Sequence, residues 1–334
     1  MTQRERVRLA LAHRQPDKTP YHVEFTKPMR ERMVEHFGDP DFINKMGNHL
    51  TIMRAEPDDA WVEVRPDIWR DQYGVTWNRT VDKDIGVVME YIVTPENLKE
   101  FRFPDPDEPS RFDAYRTLRR DHPDTFIICN LGFSLFERAW TLTGMENLLM
   151  AMIAEPAFAH GLLDRILEFN LRLINNVCEF DIDAMMFGDD WGHQRGLIMG
   201  PILWREYIKP RIRRMYAAAK VKDKYVFIHS CGKVQELFPE LIEAGLDVFN
   251  PMQPEVMDVA EVKRQFGAAL SFYGGISTQR TLPYGTVQET KDEVKRLIDV
   301  LGREGGYIAA PAHAIPADAK PQNVAAMIEI LATQ

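Results

Sequence analysis

The 334-residue sequence is poor in cysteine and has no long apolar run. Its three cysteines are too few for the disulfide framework of a small secreted domain, and they suit a reducing compartment. No apolar stretch approaches the ~18 residues that a membrane helix needs, and residues 1–15 contain no apolar core of a signal peptide. We therefore expect a cytoplasmic protein without membrane contact.

Excess positive charge is also missing, because 41 Lys and Arg residues stand against 50 Asp and Glu residues, a net charge of −9. Nucleic-acid binding requires a basic face, so we expect no nucleic-acid partner. No Gly-x-Gly-x-x-Gly motif follows any apolar run, which weakens the case for a dinucleotide-binding fold. The 45% of apolar residues is typical of a globular protein with a substantial core.

The second half of the chain is dominated by short apolar runs that end in polar or glycine residues. Between them lie helical periods, and Thr2 with Glu5 and Thr286 with Glu289 have the spacing of capping boxes. Apolar strands that alternate with amphipathic helices favour a parallel sheet covered by helices. The runs are FIICNLG, AMMFGDD, YVFIHSCG, DVFNPMQ, LSFYGGI and YIAAPAH. With residues 21–25 (YHVEF) and one further strand they predict an α/β fold, a (β/α)8 TIM barrel.

Residues 61–110 differ in character, since aromatic and β-branched residues there alternate with turn residues. This composition predicts antiparallel hairpins. We interpret 1–334 as a single barrel domain and 61–110 as an N-terminal β-rich insertion or cap within it.

Active sites of such barrels lie at the carboxyl ends of the strands, and polar residues collect there in this sequence. Adjacent residues of a strand point in opposite directions, so we expect one of the Asp189–Asp190 pair to face the cavity. The alternative for this pair is a solvated loop or a helix cap, and for His193 a loop histidine. Candidates for catalysis are Asp189, Asp190 and Gln253, the last through contact with substrate. Candidates for substrate binding are Glu24, Asn130 and His193.

His229-Ser230-Cys231 is the most specific motif. Residues two apart on a strand point to the same side, so an imidazole and a thiolate would be presented together. Zinc accepts both ligand types at about 2.0–2.3 Å, and catalytic zinc typically takes three protein ligands. Gly232 permits a tight turn after the motif. The alternative is a buried cysteine beside a hydrogen-bonded histidine. His313, at the end of the last apolar run, is a further site candidate.

The chain resembles the uroporphyrinogen decarboxylase superfamily, which includes the decarboxylase and zinc-dependent methyltransferases that act with corrinoid proteins. The resemblance covers most of the chain, with 61–125 the least typical part, and implies a (β/α)8 barrel. It rests on RERVRLALAHRQPDKTPY, GDDWGHQRGLIMGPILWREYIKPR, HSCGKVQELFPELIEAGLDVFNPMQPE, YGGISTQRTLPYGT and GGYIAAPAHAIPADAKPQNV.

The methyltransferase branch implies zinc bound by His229 and Cys231, a corrinoid carried by a partner protein, and a small-molecule methyl donor or acceptor. Thiol methylation and O-demethylation are both reactions of this type. Ala312 stands where that branch has a second cysteine. The third zinc ligand is then His313, Glu24 or a carboxylate of the 189–190 pair.

Two alternatives remain at this point. The first is uroporphyrinogen decarboxylase, where an aspartate near 189 would hydrogen-bond the pyrrole N–H groups of a tetrapyrrole. The arginine motif that holds the substrate carboxylates in that enzyme is missing from YHVEFTKPMR. The second is a non-catalytic barrel that binds a tetrapyrrole or a corrinoid protein. A homodimer is also among the expectations.

Overall fold

The computed structural model describes residues 1–334, and all six predicted apolar runs form strands in it. These runs are buried along almost their whole length, because helices cover one face of the sheet and the other faces its interior. The strands are β1 (Leu50–Met53), β2 (Trp61–Arg65), β3 (Ile68–Asp71), β4 (Thr76–Asn78), β5 (Val87–Val88), β6 (Phe126–Leu131), β7 (Ala184–Gly188), β8 (Gly192–His193), β9 (Gly196–Leu197), β10 (Tyr225–His229), β11 (Val248–Met252), β12 (Ser271–Ile276) and β13 (Tyr307–Pro311).

Seven parallel strands form one curled sheet in the order β1-β6-β7-β10-β11-β12-β13. Residues 20–25 lie between its two edge strands. Tyr21 forms a parallel bridge with Ala309 of β13, and its carbonyl accepts a hydrogen bond from the amide of His49, just before β1. The α/β class with a curled parallel sheet is therefore observed. A complete eight-stranded barrel stays a prediction, because the eighth place is taken by a segment with isolated bridges only.

Helices follow the parallel strands, and both predicted capping boxes are confirmed, at Thr2–Glu5 and Thr286–Glu289. No helix combines the length and the apolar character that crossing a membrane would require. The helices are α1 (Gln3–Leu11), α2 (Lys27–Phe37), α3 (Phe42–Lys45), α4 (Tyr115–Asp121), α5 (Phe136–Thr143), α6 (Met145–Ala154), α7 (Pro156–Val177), α8 (Gly200–Leu203), α9 (Lys209–Lys220), α10 (Phe238–Ala244), α11 (Val259–Phe266), α12 (Thr281–Tyr284), α13 (Val287–Gly302) and α14 (Pro321–Thr333).

Strands β2–β5 form a separate four-stranded antiparallel sheet, which agrees with the hairpins predicted from composition. A buried ion pair attaches it to the rest of the molecule: Asp71 Oδ2 at the end of β3 lies 2.9 Å from an Arg138 guanidinium nitrogen on α5. The Trp77 indole N–H donates to the same carboxylate over 3.2 Å. The interpretation of this region as an insertion stays a prediction.

The apolar core has two parts, a large one between the sheet and the outer helices and a small one inside the curl of the sheet. Val7 and Leu11 of α1 belong to the small part, so α1 covers the amino-terminal end of the sheet. There Arg4, Arg8 and Arg119 all reach the buried carboxylate of Asp183, with N–O distances of 2.7–2.8 Å. The opposite, carboxyl end is open.

Candidate active site

A cavity of about 360 Å³ opens at the carboxyl ends of the parallel strands. Its walls combine residues from the ends of β6, β7, β10, β11, β12 and β13 with residues 22–26. Five residues singled out from the sequence line this one cavity: Glu24, Asn130, Asp190, His229 and His313. Positions that are up to 289 residues apart therefore meet at one end of the sheet.

His229, Cys231 and His313 form a cluster in which one ligand atom from each residue lies within 4.8 Å of the other two. The Cys231 Sγ is 3.4 Å from His229 Nε2, and the ring centroids of His229 and His313 are 5.7 Å apart. Atoms bound at 2.0–2.3 Å to a tetrahedral zinc are about 3.3–3.8 Å from one another. The His229–Cys231 pair already has this spacing, and His313 needs a shift of about 1 Å.

The backbone around Cys231 turns sharply so that its thiol points back toward His229. Gly232 has a positive φ of 85°, and a Cβ at this position would lie 2.4 Å from the carbonyl carbon of Gly192. Only glycine fits both requirements. The Cys231 amide donates to Asp190 Oδ1 over 2.8 Å, which fixes the start of this turn.

Asn250 on β11, which sequence reasoning missed, sets the tautomer of His229. Its Nδ2 donates to the Tyr273 carbonyl over 3.1 Å, so the amide orientation is defined and Oδ1 points toward His229. That oxygen lies 2.6 Å from His229 Nδ1 and accepts the Nδ1–H proton. The Nε2 lone pair of His229 is therefore free and faces Cys231, as a metal-binding histidine requires.

The donor set of this cluster fits zinc, because two imidazoles and one thiolate are ligands that zinc prefers. Burial, together with the nearby carboxylates of Asp190 and Glu137, raises the pKa of the Cys231 thiol. A thiol in these surroundings keeps its proton unless a cation is close. Partial burial and the adjacent His229 lower the pKa of His313, which favours the neutral imidazole that can bind a metal.

Asp189 and Asp190 point in opposite directions, as the strand geometry predicts. Asp190 lines the cavity, and its Oδ1 is 3.9 Å from His229 Nε2. Asp189 is completely buried behind the cavity wall and accepts from the amides of Leu135 and Glu137 and from the indole of Trp191. Burial raises its pKa to about 6 despite these hydrogen bonds. Asp189 thus caps α5 and does not face substrate.

Glu137 on the first turn of α5 is a second residue that sequence reasoning missed. Its carboxyl group lines the cavity, and burial together with the negative charges of Asp190 and Asp189 raises its pKa well above the usual range. This shift favours the protonated carboxylic acid in the cavity. The search for polar residues at strand ends could not find Glu137, because it lies on a helix that Asp189 positions.

Two further predicted residues lie outside the cavity. Gln253 is buried and its Oε1 accepts from the Gly232 amide over 3.2 Å, so it supports the turn after Cys231. His193 is exposed on the β8–β9 hairpin, where Nδ1 accepts from the Arg195 amide. Neither side chain lines the cavity, and substrate contact by these two residues stays a prediction.

The deep part of the cavity is made by a neutral polar pair that also had no signal in the sequence. His22 Nδ1 and the Tyr273 hydroxyl are 2.7 Å apart, and both side chains are buried. Burial lowers the pKa of His22 and raises that of Tyr273. Both groups are therefore uncharged near neutral pH and offer only hydrogen bonds to a ligand.

Comparison with known proteins places these features in a family. The family model for uroporphyrinogen decarboxylase matches residues 67–334. The uroporphyrinogen decarboxylase of Chlorobaculum parvum is 24% identical over 245 residues, which cover 68% of this chain and 66% of that protein. The methylcobamide:CoM methyltransferase MtaA of Methanosarcina barkeri is 25% identical over 222 residues, 66% of this chain and 62% of that protein. Each match thus spans just under two thirds of the relative's length.

The fold is similar over almost the whole chain to a solved methyltransferase from Methanosarcina mazei. The TM-score is 0.75 at 18% sequence identity, and the match covers 99% of this chain and 98% of the other. The similarity extends across residues 1–66, which the family model leaves out.

Proposed function

Because the chain belongs to the uroporphyrinogen decarboxylase family, whose members similar to it include decarboxylases and a methyltransferase, we propose that it is a zinc-dependent methyltransferase. It would transfer a methyl group between a small molecule and a corrinoid, which a separate protein carries to the open end of the sheet. The observation that carries the proposal is the convergence of His229, Cys231 and His313, whose ligand atoms lie within 4.8 Å of one another.

In this proposal His229, Cys231 and His313 would hold the zinc. Zinc bound there lowers the pKa of a coordinated thiol and so supplies a nucleophilic thiolate near neutral pH. His313 takes the place of the second cysteine that the sequence lacks at Ala312. Glu24 and Asp190 lie outside the group of mutually close ligand atoms, which favours His313 as the third ligand.

The neighbouring side chains orient the ligands and supply a proton donor. Asn250 keeps the Nε2 lone pair of His229 directed at the cluster, and Asp190 holds the Cys231 amide. The raised pKa of Glu137 favours its protonated form beside Asp190, so it can donate a proton to a leaving group. Asp189 keeps Glu137 in place by binding its amide at the start of α5.

The charge of the cavity argues against the decarboxylase alternative. Four carboxyl groups line it, from Glu24, Asp84, Glu137 and Asp190, against the single guanidinium of Arg54. A tetrapyrrole with several carboxylates would meet repulsion there. At about 360 Å³ the cavity is also at the small end of ligand pockets, which range over about 300–1,000 Å³.

Metal analysis of the purified protein after zinc loading tests the proposal. We expect about one zinc per chain, loss of that zinc in Cys231→Ala, and retention in the matched control Cys178→Ala, whose thiol is buried away from the cavity. The loaded protein should transfer methyl groups from methylcobalamin to a small thiol and leave uroporphyrinogen unchanged. A protein that binds no zinc at micromolar concentration would refute the proposal.

A further inference from the structure

Glu24 presents a carboxylate to the cavity that nothing else in the chain engages. Its side chain is exposed and makes no hydrogen bond or ion pair, although its backbone carbonyl binds the Ile315 amide. The other carboxyl groups of the cavity differ. Asp190 accepts from the Cys231 amide, Asp84 accepts from the Lys27 amide, and Glu137 is buried with a raised pKa.

The one guanidinium of the cavity does not neutralise this charge. Arg54 pairs with Glu56, at 3.4 Å between Nη1 and Oε1, and its other side packs over Gly132. A Cβ on Gly132 would approach the Arg54 guanidinium to 3.1 Å. Glu24 therefore faces the lumen as an uncompensated negative charge.

Three aromatic rings line the same cavity: Phe25, Phe133 and Tyr273. Phe133 adopts a left-handed backbone conformation, with φ of 50°, which a bulky residue rarely takes and which is typical of functional sites. Its ring is fixed from behind by Trp77 and Trp140, at centroid distances of 5.6 and 6.4 Å. The Phe133 ring is thus held as part of the cavity wall at a cost in backbone strain.

A carboxylate in a cavity lined by aromatic rings is the chemistry that recognises alkylated ammonium groups. We propose that the cavity binds a small organic substrate through a methylated or protonated ammonium group, seated against Glu24 and the aromatic wall. That this molecule is the methyl donor or acceptor rests on the proposed function. His22 and Asn130 in the same cavity offer hydrogen bonds to a neutral oxygen of the ligand.

Binding of two ligands of equal shape tests this inference, and it needs no turnover. Choline and its uncharged carbon isostere 3,3-dimethylbutan-1-ol are titrated calorimetrically into the full chain, both metal-free and loaded with zinc. We expect choline to bind at least about tenfold more tightly than the isostere. Glu24→Gln should remove most of this preference, and Glu35→Gln, an exposed carboxylate of α2 outside the cavity, should leave it unchanged. Phe25→Leu should weaken choline more than the isostere.

The inference is wrong if the two ligands bind equally, if choline does not bind at millimolar concentration, or if Glu24→Gln keeps the preference. Zinc content measured on the same samples separates the two proposals. Zinc without a choline preference overturns only the substrate class. A choline preference without zinc overturns the methyltransferase proposal and leaves the ammonium site standing.

Discussion

At the amino-terminal end of the curled sheet Asp183 is buried among three guanidinium groups, whereas at the carboxyl end Glu24 faces a cavity without any partner. Burial alone would raise the pKa of Asp183, but the Ile127 amide and the guanidiniums of Arg4 and Arg119 outweigh it and lower that pKa. At the open end the pKa of Glu137 is raised, because burial and the negative charges of Asp190 and Asp189 outweigh the Asp190 amide and the positive charge of Arg138.

This contrast indicates that the closed end stabilises the fold and that the open end carries the chemistry. Charges that are fully paired contribute to stability and leave nothing for a ligand, whereas unpaired or protonated carboxyl groups cost stability and are available for chemistry. Substitutions at the closed end should therefore change the free energy of unfolding and leave metal binding intact. Substitutions at the open end should do the reverse.

The largest expected effect is at the closed end. Asp183→Asn leaves three guanidinium groups around a neutral amide and should lower the free energy of unfolding by about 3–5 kcal/mol. Urea denaturation measures this. Asp181→Asn is the matched control, since Asp181 binds Arg4 and Arg119 on the surface, and should cost at most about 1 kcal/mol. Equal losses of unfolding free energy in the two variants, or loss of zinc in folded Asp183→Asn, would contradict the separate roles of the two ends.

The next effect is an acid sensitivity of the closed end. His49 is buried before β1 with both ring nitrogens unpaired, and burial with the positive charges of Arg6 and Lys18 lowers its pKa to about 4. The unfolded chain takes up this proton near pH 6.5, so stability should fall as pH drops from about 6.5 to 4, by about 3 kcal/mol.

His49→Phe keeps a ring in this place and removes the titration, so its unfolding free energy should depend less on pH over that interval. Urea denaturation at a series of pH values gives the measurement, with exposed His36→Gln as the control. Parallel pH profiles of wild type and His49→Phe would contradict the assignment.

At the open end Asn250→Ala should lower zinc affinity by about 10–100-fold, because the Nδ1–H of His229 loses the acceptor that fixes its tautomer. Competition with a chelating dye measures the affinity. Asn250→Asp retains an oxygen at that position and should recover most of the loss. If both variants bind zinc like wild type, Asn250 has no part in orienting His229.

The smallest expected effect is at the start of α1. Thr2→Ala removes the capping box of α1, the helix that covers the closed end, and should cost about 1 kcal/mol of unfolding free energy. Zinc content should not change. A cost below about 0.3 kcal/mol would show that packing of Val7 and Leu11 alone holds α1.

The sequence predicted what local chemistry decides. Apolar runs ending in polar residues located six of the seven strands of the sheet, and the two-residue spacing of His229 and Cys231 predicted that their side chains come together. The seventh strand, β1, was not located, because LTIM is only four residues long.

Residues whose role depends on contacts made in the folded structure could not be predicted from the sequence. Asn250 gains its role from the register that places it opposite His229 on the adjacent strand. Glu137 comes to the cavity because Asp189, 52 residues later, caps its helix. Strand alternation predicted that only one of Asp189 and Asp190 faces the cavity. The fold was needed to show that this residue is Asp190.

The pairing of Arg4 with Asp183 joins positions 179 residues apart in the chain. On a ribosome that adds about 5–20 residues per second, the first helix emerges roughly 10–35 s before the carboxylate that anchors it. Helix α1 must therefore stay undocked through most of translation. Its amphipathic surface is then available to chaperones until β7 has been made, and closure of this end becomes a late step in folding.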